Sequence, residues 1–135
     1  MIVVIDNNIV LDALLEREPF NYDAEKVLMA CAGDDIGCLT ANNLTDIFYV
    51  LAKMIGAAQA KQSVGKLVEL FEIISVNETD CINALEMDLD DFEDALLLVC
   101  AEKAGAEYIV SRDAELSGDE SSVNVVSPAE FMMVE

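Results

Sequence analysis

The sequence contains no histidine, and this absence removes several kinds of catalytic site. Ser-His-Asp and Cys-His nucleophilic sites and the HExxH zinc motif all need an imidazole. The cysteines show no CxxC spacing, so neither a zinc knuckle nor a redox pair is indicated. We therefore expect free, buried thiols in a cytoplasmic protein. The cysteines are Cys31, Cys38, Cys81 and Cys100.

Basic residues are scarce, since 7 lysines and arginines face 27 aspartates and glutamates, which gives a net charge of −20. A basic nucleic-acid footprint is therefore absent. An anionic substrate would need a locally reversed potential, supplied by metal ions or by the lysines of the middle segment, Lys53, Lys61 and Lys66. Surface solubility is the simpler explanation of those lysines, and a small rim that contacts phosphate is the functional alternative.

Long apolar runs are missing as well. No run approaches the ~20 residues of a membrane span, and the opening MIVVID is too short and too quickly acidic for a signal peptide. With 54% hydrophobic residues, 6 glycines and 2 prolines, the composition excludes a disordered tail and a collagen-like repeat. We expect a single domain over residues 1–135 and no membrane partner.

Segments with strand and helix periodicity alternate along the chain. The β-branched run at 2–5 suits a strand buried on both faces, and Thr40 is placed to cap a helix over 41–54. The alternation predicts a three-layer α/β/α domain with a central, mainly parallel sheet of four to five strands. The predicted strands are 2–5, 36–39, 71–76, 108–110 and an edge strand at 123–126. The predicted helices are one that ends near Pro19, then 21–32, 41–54, 57–70, 78–87, 95–104 and a short last helix from Ser127, with a loop at 117–122.

Four aspartates are expected at the carboxyl edge of this sheet, where open parallel sheets bind ligands. Asp6 follows the first strand and Asp113 the fourth, while Asp46 lies in the second turn of its helix and Asp94 opens the helix from 95. Taken alone, Asp94 is explained by helix-dipole complementation and Asp46 by an ordinary solvated position. Asp6 has no such ordinary explanation, because a carboxylate directly after a buried strand must be paired, hydrogen-bonded or bound to metal.

Converging carboxylates are costly unless a cation neutralises them, and an empty cluster would raise at least one pKa. Oxygen ligands without histidine or paired cysteine fit a hard cation, Mg²⁺ or Mn²⁺, better than zinc. The acidic run 88–94 lacks the glycine and the final glutamate of an EF-hand loop, so Asp88 and Asp90 are interpreted as solvated residues. Asp91 and Glu93 are candidates for a supporting position behind the metal ligands.

Four segments resemble the motifs of PIN-domain ribonucleases, in the family's order and spacing. VVIDNNIVLDALLER resembles the first strand and helix, and LTANNLTDIFYVLAK the second motif, in which an acidic residue lies within a helix. DFEDALLLVCAEKAGAEYIVSRD resembles the third and fourth motifs, and VVSPAEF the closing strand and short helix. Two positions depart from the pattern. Asn7 stands where the family commonly has Thr or Ser, and Asp46 stands where Glu is commoner, which shortens that side chain by one methylene.

The resemblance implies a Mg²⁺- or Mn²⁺-dependent endoribonuclease that cleaves RNA to 5′-phosphate and 3′-hydroxyl ends. It also implies the toxin half of a bacterial toxin–antitoxin pair (VapC-like), a homodimer held by a small antitoxin protein. Asn8 would orient Asp6 by hydrogen bonding, and Ser111 would stand at the family's Thr/Ser position. The metal-binding and catalytic acids carried over from the family are Asp6, Asp46, Asp94 and Asp113.

Two other functions stay open at this point. A receiver-like signalling domain is also acidic and α/β, but it usually has a pair of acids after its first strand, whereas Asn7 and Asn8 follow Asp6 here. A catalytically silent binding module would keep the fold and contact a partner peptide. Metal-dependent cleavage of RNA separates the nuclease from the silent module, and acyl-phosphate labelling would reveal the receiver.

Overall fold

The computed structural model describes residues 1–113, 116 and 123–135. The five strands are β1 (Ile2–Ile5), β2 (Ile36–Thr40), β3 (Glu72–Ile74), β4 (Tyr108–Val110) and β5 (Asn124–Val126). The seven helices found in the described residues are α1 (Asn7–Leu14), α2 (Asn21–Ala32), α3 (Ala41–Ile55), α4 (Ala57–Leu70), α5 (Glu78–Glu86), α6 (Phe92–Ala104) and α7 (Pro128–Val134). The strands and helices therefore alternate as the apolar pattern predicts. The predicted loop at 117–122 lies outside the described residues.

The strands form one sheet in the order β3-β2-β1-β4-β5, and every neighbouring pair is parallel. The prediction of a mainly parallel sheet with 123–126 at its edge is confirmed. Flavodoxin-like domains, which include receivers, have the order 2-1-3-4-5. The receiver alternative is therefore wrong for this fold, because β1 here lies between β2 and β4 at the centre of the sheet.

Helices cover both faces of the sheet, and the central strand shows why. In β1, Val3 and Ile5 belong to one apolar cluster and Val4 belongs to another, since alternate side chains point to opposite faces. All three are completely buried. The first cluster includes residues of α1, α2, α3, α4 and α7, and the second includes residues of α6, against which α5 packs. The three-layer α/β/α prediction is confirmed.

The start of α6 differs from the prediction. The helix begins at Phe92, three residues before the predicted start at 95, and Asp91 is its N-cap. An Asp91 side-chain oxygen accepts a hydrogen bond from the Asp94 backbone N–H at 3.0 Å, which satisfies one of the helix's unpaired donors. Asp94 is thus inside the first turn and does not open the helix. At the other end, Gly105 adopts a left-handed φ of 72°, a conformation that glycine allows at low cost.

Other local predictions hold in part. Thr40 occupies the N-cap position of α3 with an extended backbone, but its side chain makes no capping hydrogen bond. The third strand is shorter than predicted, since only Glu72–Ile74 pair with β2.

All four cysteines are free, and Cys81 alone among them is not fully buried. Within the described part of the chain, every helix is too short or too polar to cross a bilayer.

Candidate active site

The site begins where two neighbouring strands end. Strands β1 and β4 pair in register, with Ile5 opposite Val110, so the residues that follow them are adjacent. The Asp6 backbone N–H extends this pairing by donating to the Val110 carbonyl at 3.0 Å. This register places Asp6 beside Ser111, although 105 positions separate them in the sequence.

Asp6 is held by three donors. Its carboxylate accepts hydrogen bonds from the Ser111 hydroxyl at 2.7 Å, from the Asn7 backbone N–H at 2.8 Å and from the Asn8 side-chain amide at 3.3 Å. Asp6 is 8% exposed, and burial raises its pKa, against the opposing effect of the Ser111 and Asn7 hydrogen bonds. The negative charge of Asp113 raises it further. A buried carboxylate with a raised pKa is a group that a cation would stabilise.

Ser111 links two of the predicted aspartates. Its hydroxyl donates to Asp6 Oδ2 and accepts a hydrogen bond from the Asp113 backbone N–H at 3.0 Å. The side chain is buried, at 3% exposed, so water cannot readily replace either bond. One hydroxyl therefore sets the spacing between the end of β1 and the segment after β4.

A cavity of about 200 Å³ opens at this edge of the sheet, and its polar lining consists of oxygen and amide groups. Three of the four predicted aspartates, Asp6, Asp94 and Asp113, line it. The cavity is lined by Asp6, Asn7, Asn8, Asn43, Asp91, Glu93, Asp94, Leu97 and Asp113.

A comparison with known protein families shows to which family a chain with this fold and cavity belongs. The family model of the PIN domain matches residues 2–115, which span β1 to the segment after β4 and include all four predicted aspartates. This chain belongs to the PIN-domain family.

Individual PIN-domain proteins are similar over almost their whole length. Ribonuclease VapC1 of Aquifex aeolicus (strain VF5) is 29% identical over 138 residues, which cover 96% of this chain and 92% of that protein. VapBC2 of Rickettsia felis, solved bound to a DNA fragment from its promoter, has a TM-score of 0.73 at 15% identity, covering 94% of this chain and 98% of that one. VapC20 of Mycobacterium tuberculosis, a toxin that cleaves the sarcin–ricin loop, has a TM-score of 0.71 at 13% identity, covering 90% and 98%. At these identities the two structures show a shared fold.

The fourth predicted aspartate of this PIN domain is not among the residues that line the cavity. Asp46 is half-buried on α3, and its carboxyl group is hydrogen-bonded to that of Glu93, which does line the cavity. This hydrogen bond, followed by burial and by the charges of Asp46, Asp91 and Asp6, raises the pKa of Glu93 to about 7. Two adjacent carboxyl groups share a proton more readily than both ionise. The acidic position on α3 thus reaches the PIN-domain cavity through Glu93.

The first turn of α6 brings the third motif of the PIN domain to the cavity. Asp91 caps the helix and lines the cavity together with Asp94, one turn further on. A helix N-terminus favours negative charge by about 0.3–1 kcal/mol, which lowers the cost of gathering acids there. Both Asp91 and Glu93 were expected behind the ligands, and the structure places both in the cavity wall.

Asn43 is a cavity residue that was not predicted from the sequence. It lies in the first turn of α3, is 2% exposed, and its Nδ2 has no hydrogen-bond partner among the described residues. A buried amide without a partner is unusual and points to a group that is bound in the cavity. The available signal was the polar Asn42-Asn43 pair, one residue after the end of β2, whose carboxyl end meets the same edge of the sheet.

A second unpredicted feature braces the segment after β4. Asp12 of α1 is completely buried, and Arg112 donates to it through Nε at 2.6 Å and through Nη2 at 3.1 Å. Arg17 Nε lies 2.8 Å from the same carboxylate. Because Arg112 stands between Ser111 and Asp113, this ion pair fixes α1 against the strand end that carries two site residues.

The donor set of this PIN domain fits a hard divalent cation. The cavity offers carboxylate and amide oxygens, and neither histidine nor cysteine lines it. Within the described residues no three acidic or thiol side chains stand close enough together to hold one ion directly. Mg²⁺ commonly keeps several waters and uses one or two carboxylates, so the absence of a closed carboxylate cage is compatible with that ion.

Proposed function

We propose that this PIN domain is a Mg²⁺- or Mn²⁺-dependent endoribonuclease and the toxin component of a bacterial toxin–antitoxin pair. The observation that carries the proposal is the oxygen-lined cavity at the carboxyl edge of the sheet, in which Asp6, Asp94 and Asp113 converge. Family membership and the likeness to a ribonuclease over 96% of this chain support the same activity.

Asp6, Asp94 and Asp113 would hold the ion with the help of bound waters, since no three acids of the described residues are close enough to bind it directly, and Asp46 would act on it through Glu93. When bound, a divalent cation supplies Lewis acidity toward a phosphate oxygen and offsets the charge that develops during in-line displacement. These carboxylates also explain how a chain with a net charge of −20 could accept a phosphodiester, because the cation reverses the local potential.

The chain's own residues orient the reaction. Ser111 holds Asp6 and the Asp113 backbone at a set spacing, and the Asn8 amide donates to the same Asp6 oxygen, Oδ2, as Ser111. Asn43 offers a buried N–H donor in a wall of acceptors, so it can donate to a non-bridging phosphate oxygen or to an attacking water.

The products and the context belong to the same proposal. With no histidine in the sequence, acid–base attack through the ribose 2′-hydroxyl lacks its usual side chains, so hydrolysis to a 5′-phosphate and a 3′-hydroxyl is expected. Several structures of similar fold are toxin–antitoxin complexes, which supports a small antitoxin protein as a partner of this chain. A homodimer that acts in the cytoplasm completes the proposal.

Cleavage of a mixed RNA pool in Mn²⁺, Mg²⁺ or EDTA tests the activity, with chemical mapping of the new ends. Asp94→Asn keeps the side chain's shape but removes one negative charge from the cavity, so metal affinity and cleavage should both fall sharply. The metal-free variant should be as stable as the wild type or more stable, because a like charge is lost. Asp90→Asn, in the same acidic run but outside this cavity, is the matched control and should change neither property.

Equal cleavage by wild type and Asp94→Asn would remove Asp94 from the site and contradict the proposed mechanism. Metal binding without any cleavage would assign the chain to the silent binding module instead.

A further inference from the structure

A series of three cavities runs along the protein from the acidic site. Asp113 lines both the acidic cavity and a second cavity of about 200 Å³. Arg112 and Ser127 line this second cavity and also a third, of about 330 Å³. We call the third cavity the Phe20 cleft; its lining residues are Phe20, Asp23, Arg112, Ser127, Pro128 and Ala129. The acidic cavity and the Phe20 cleft are therefore linked through residues that line neighbouring cavities.

The guanidinium in the Phe20 cleft has one end outside its ion pair. Arg112 and Arg17 share one carboxylate, that of Asp12, and with Asp23 in the same wall these charges sum to zero, in contrast to the acidic cavity. The Arg112 side chain remains 34% exposed. It binds Asp12 through Nε and Nη2, which leaves the Nη1 end of the guanidinium outside that pair. In a protein with a net charge of −20, a positive group one residue from Asp113 is well placed for an anion.

The cleft also holds an aromatic surface and a hydrogen-bond acceptor. Arg112 Cζ lies 4.0 Å from the centre of the Phe20 ring, a cation–π contact that holds the ring in place. Phe20 nevertheless stays 46% exposed, so part of its surface is available for stacking. Asp23 is an exposed carboxylate in the same wall and can accept hydrogen bonds from an exocyclic amine.

We propose that the Phe20 cleft binds the nucleotide next to the scissile phosphate of a single-stranded RNA. In this subsite Arg112 contacts a backbone phosphate, the base stacks on Phe20, and Asp23 accepts from the base's amino group. A single-stranded nucleic acid supplies an anion and a stacking face together, which is the combination that the cleft offers. The subsite rests on the proposed function, since it positions the substrate of that site. The cleft volume falls within the range of small-ligand sites.

Binding of a short 5′-fluorescein-labelled single-stranded RNA of mixed sequence tests the subsite by fluorescence anisotropy. The buffer contains Ca²⁺, which loads carboxylate sites with looser geometry than Mg²⁺. Phe20→Leu keeps an apolar side chain but removes the stacking ring, and we expect binding to weaken about tenfold. The control is Tyr49→Leu, which removes an exposed ring that also carries a cation–π contact, with Lys53 at 4.5 Å, but lies outside the cleft. It should bind RNA like the wild type.

Two further variants separate charge from base recognition. Arg112→Lys keeps the charge and loses the planar fork, so RNA affinity should fall several-fold. Because this change also disturbs the buried Asp12, its fold must be verified by circular dichroism, and Phe20→Leu remains the deciding variant. Asp23→Ala removes the acceptor and should reduce the preference for oligo(C) over oligo(U), since uracil lacks an exocyclic amine.

The outcomes distinguish the subsite from the activity on which it rests. If the wild type cleaves RNA but Phe20→Leu binds it as tightly, the cleft inference is overturned and the nuclease proposal stands; the cleft then belongs to a protein contact. If the wild type neither binds nor cleaves RNA in Ca²⁺, Mg²⁺ or Mn²⁺, both fall. Weaker binding by Phe20→Leu together with unchanged binding by Tyr49→Leu supports the subsite.

Discussion

At the scale of single residues, the site depends on a few buried polar contacts rather than on the number of acids. Among the acidic residues that the structure describes, Asp6 is one of three that are buried, and it is the one that Ser111 and Asn8 hold. The sequence singled out both supporting residues through the family resemblance. It could not predict Asn43, because an asparagine in the first turn of a helix is common and its exposure depends on how that helix packs.

Replacing Ser111 with alanine should weaken both fold and site. The variant leaves the buried Asp6 Oδ2 without its shortest hydrogen bond and the Asp113 backbone N–H without its acceptor, so we expect a loss of about 1–3 kcal/mol in the free energy of unfolding. Metal affinity should fall about 10- to 100-fold, as it does when a group behind the ligands is removed. Urea denaturation and Mn²⁺ titration measure the two effects.

Thr45→Ala is the control for Ser111→Ala, since the Thr45 hydroxyl bonds a backbone carbonyl of its own helix in an exposed position. It should leave stability unchanged or raise it by a few tenths of a kcal/mol, because alanine has the higher helix propensity, and leave metal binding unchanged. Wild-type metal affinity in Ser111→Ala would contradict the positioning role of Ser111.

At the scale of helices and strands, the close approach of α2 to the sheet requires a glycine in β2. A Cβ on Gly37 would lie 2.7 Å from Cys31 Cβ and 2.7 Å from Phe71 Cδ1, distances that only a shift of the helix or of the ring could relieve. The pattern of apolar residues predicts both the helix and the strand, but it does not show how close they come.

Gly37→Ala and Gly65→Ala make a matched test of this packing. At Gly37 the added methyl group overpacks the core and should cost about 1–3 kcal/mol. At Gly65, within α4, the added Cβ meets open space, and the higher helix propensity of alanine should stabilise the protein by about 0.5–1 kcal/mol. Thermal melts of both variants measure the difference. Equal melting temperatures would show that α2 has room to move.

An ion pair between a buried aspartate and a partly exposed lysine joins α5 to α6 and predicts a pH dependence. Asp80 is 3% exposed, and Lys103 lies 2.5 Å from its Oδ2. The hydrogen bond from Lys103, followed by that from the Asn77 backbone, lowers the pKa of Asp80. Because the folded pKa is depressed, the stabilisation is complete above the unfolded value of about 3.9 and is lost as the pH falls through the lower folded value.

Asp80→Asn should therefore lower the free energy of unfolding at pH 7. Below about pH 4 the difference in this free energy between the variant and the wild type should become smaller. Urea midpoints of both proteins between pH 7 and pH 3 check this expectation. A gap that stays constant over this range would mean that the Asp80 carboxylate contributes no charge-dependent stability.

At the scale of the whole molecule, the sheet topology adds to the electrostatic repulsion that the net charge already causes. The parallel sheet gathers carboxylates at one edge, in a chain whose net charge is already −20. Self-repulsion of this kind destabilises the compact state, and a bound cation relieves it. Burial, with a smaller contribution from the charge of Asp113, raises the pKa of Asp6, and the hydrogen bond with Asp46, followed by burial, raises the pKa of Glu93.

Millimolar Mn²⁺ should stabilise the whole protein. At a concentration of 100 times the dissociation constant, one site adds about 2.7 kcal/mol to the free energy of unfolding, which raises the melting temperature of a domain of this size by several degrees. Differential scanning calorimetry in Mn²⁺, in Ca²⁺ and in a salt of matched ionic strength separates site binding from screening. The same melting temperature in Mn²⁺ and in the matched salt would count against the metal site.

The sequence by itself determined where the strands and helices lie along the chain. It also determined that two of the site aspartates follow strands that end at the same edge of the sheet. Periodicity and chain order are local properties, so β1, β4 and the carboxylates that follow them, Asp6 and Asp113, could be predicted from alternating strands and helices. The third motif was predicted with its helix starting three residues late, because the Asp91 cap is visible only from its hydrogen bond to Asp94.

Tertiary structure alone decided which side chains meet. Asp46 and Glu93 lie on different helices, and nothing in either helix's pattern shows that their carboxyl groups share a hydrogen bond. The pairing of Arg112 with Asp12 spans 100 positions and creates both the brace behind the site and the charged wall of the Phe20 cleft. Such pairings depend on the angle and distance at which elements pack, and these are set by the shapes of many buried side chains together.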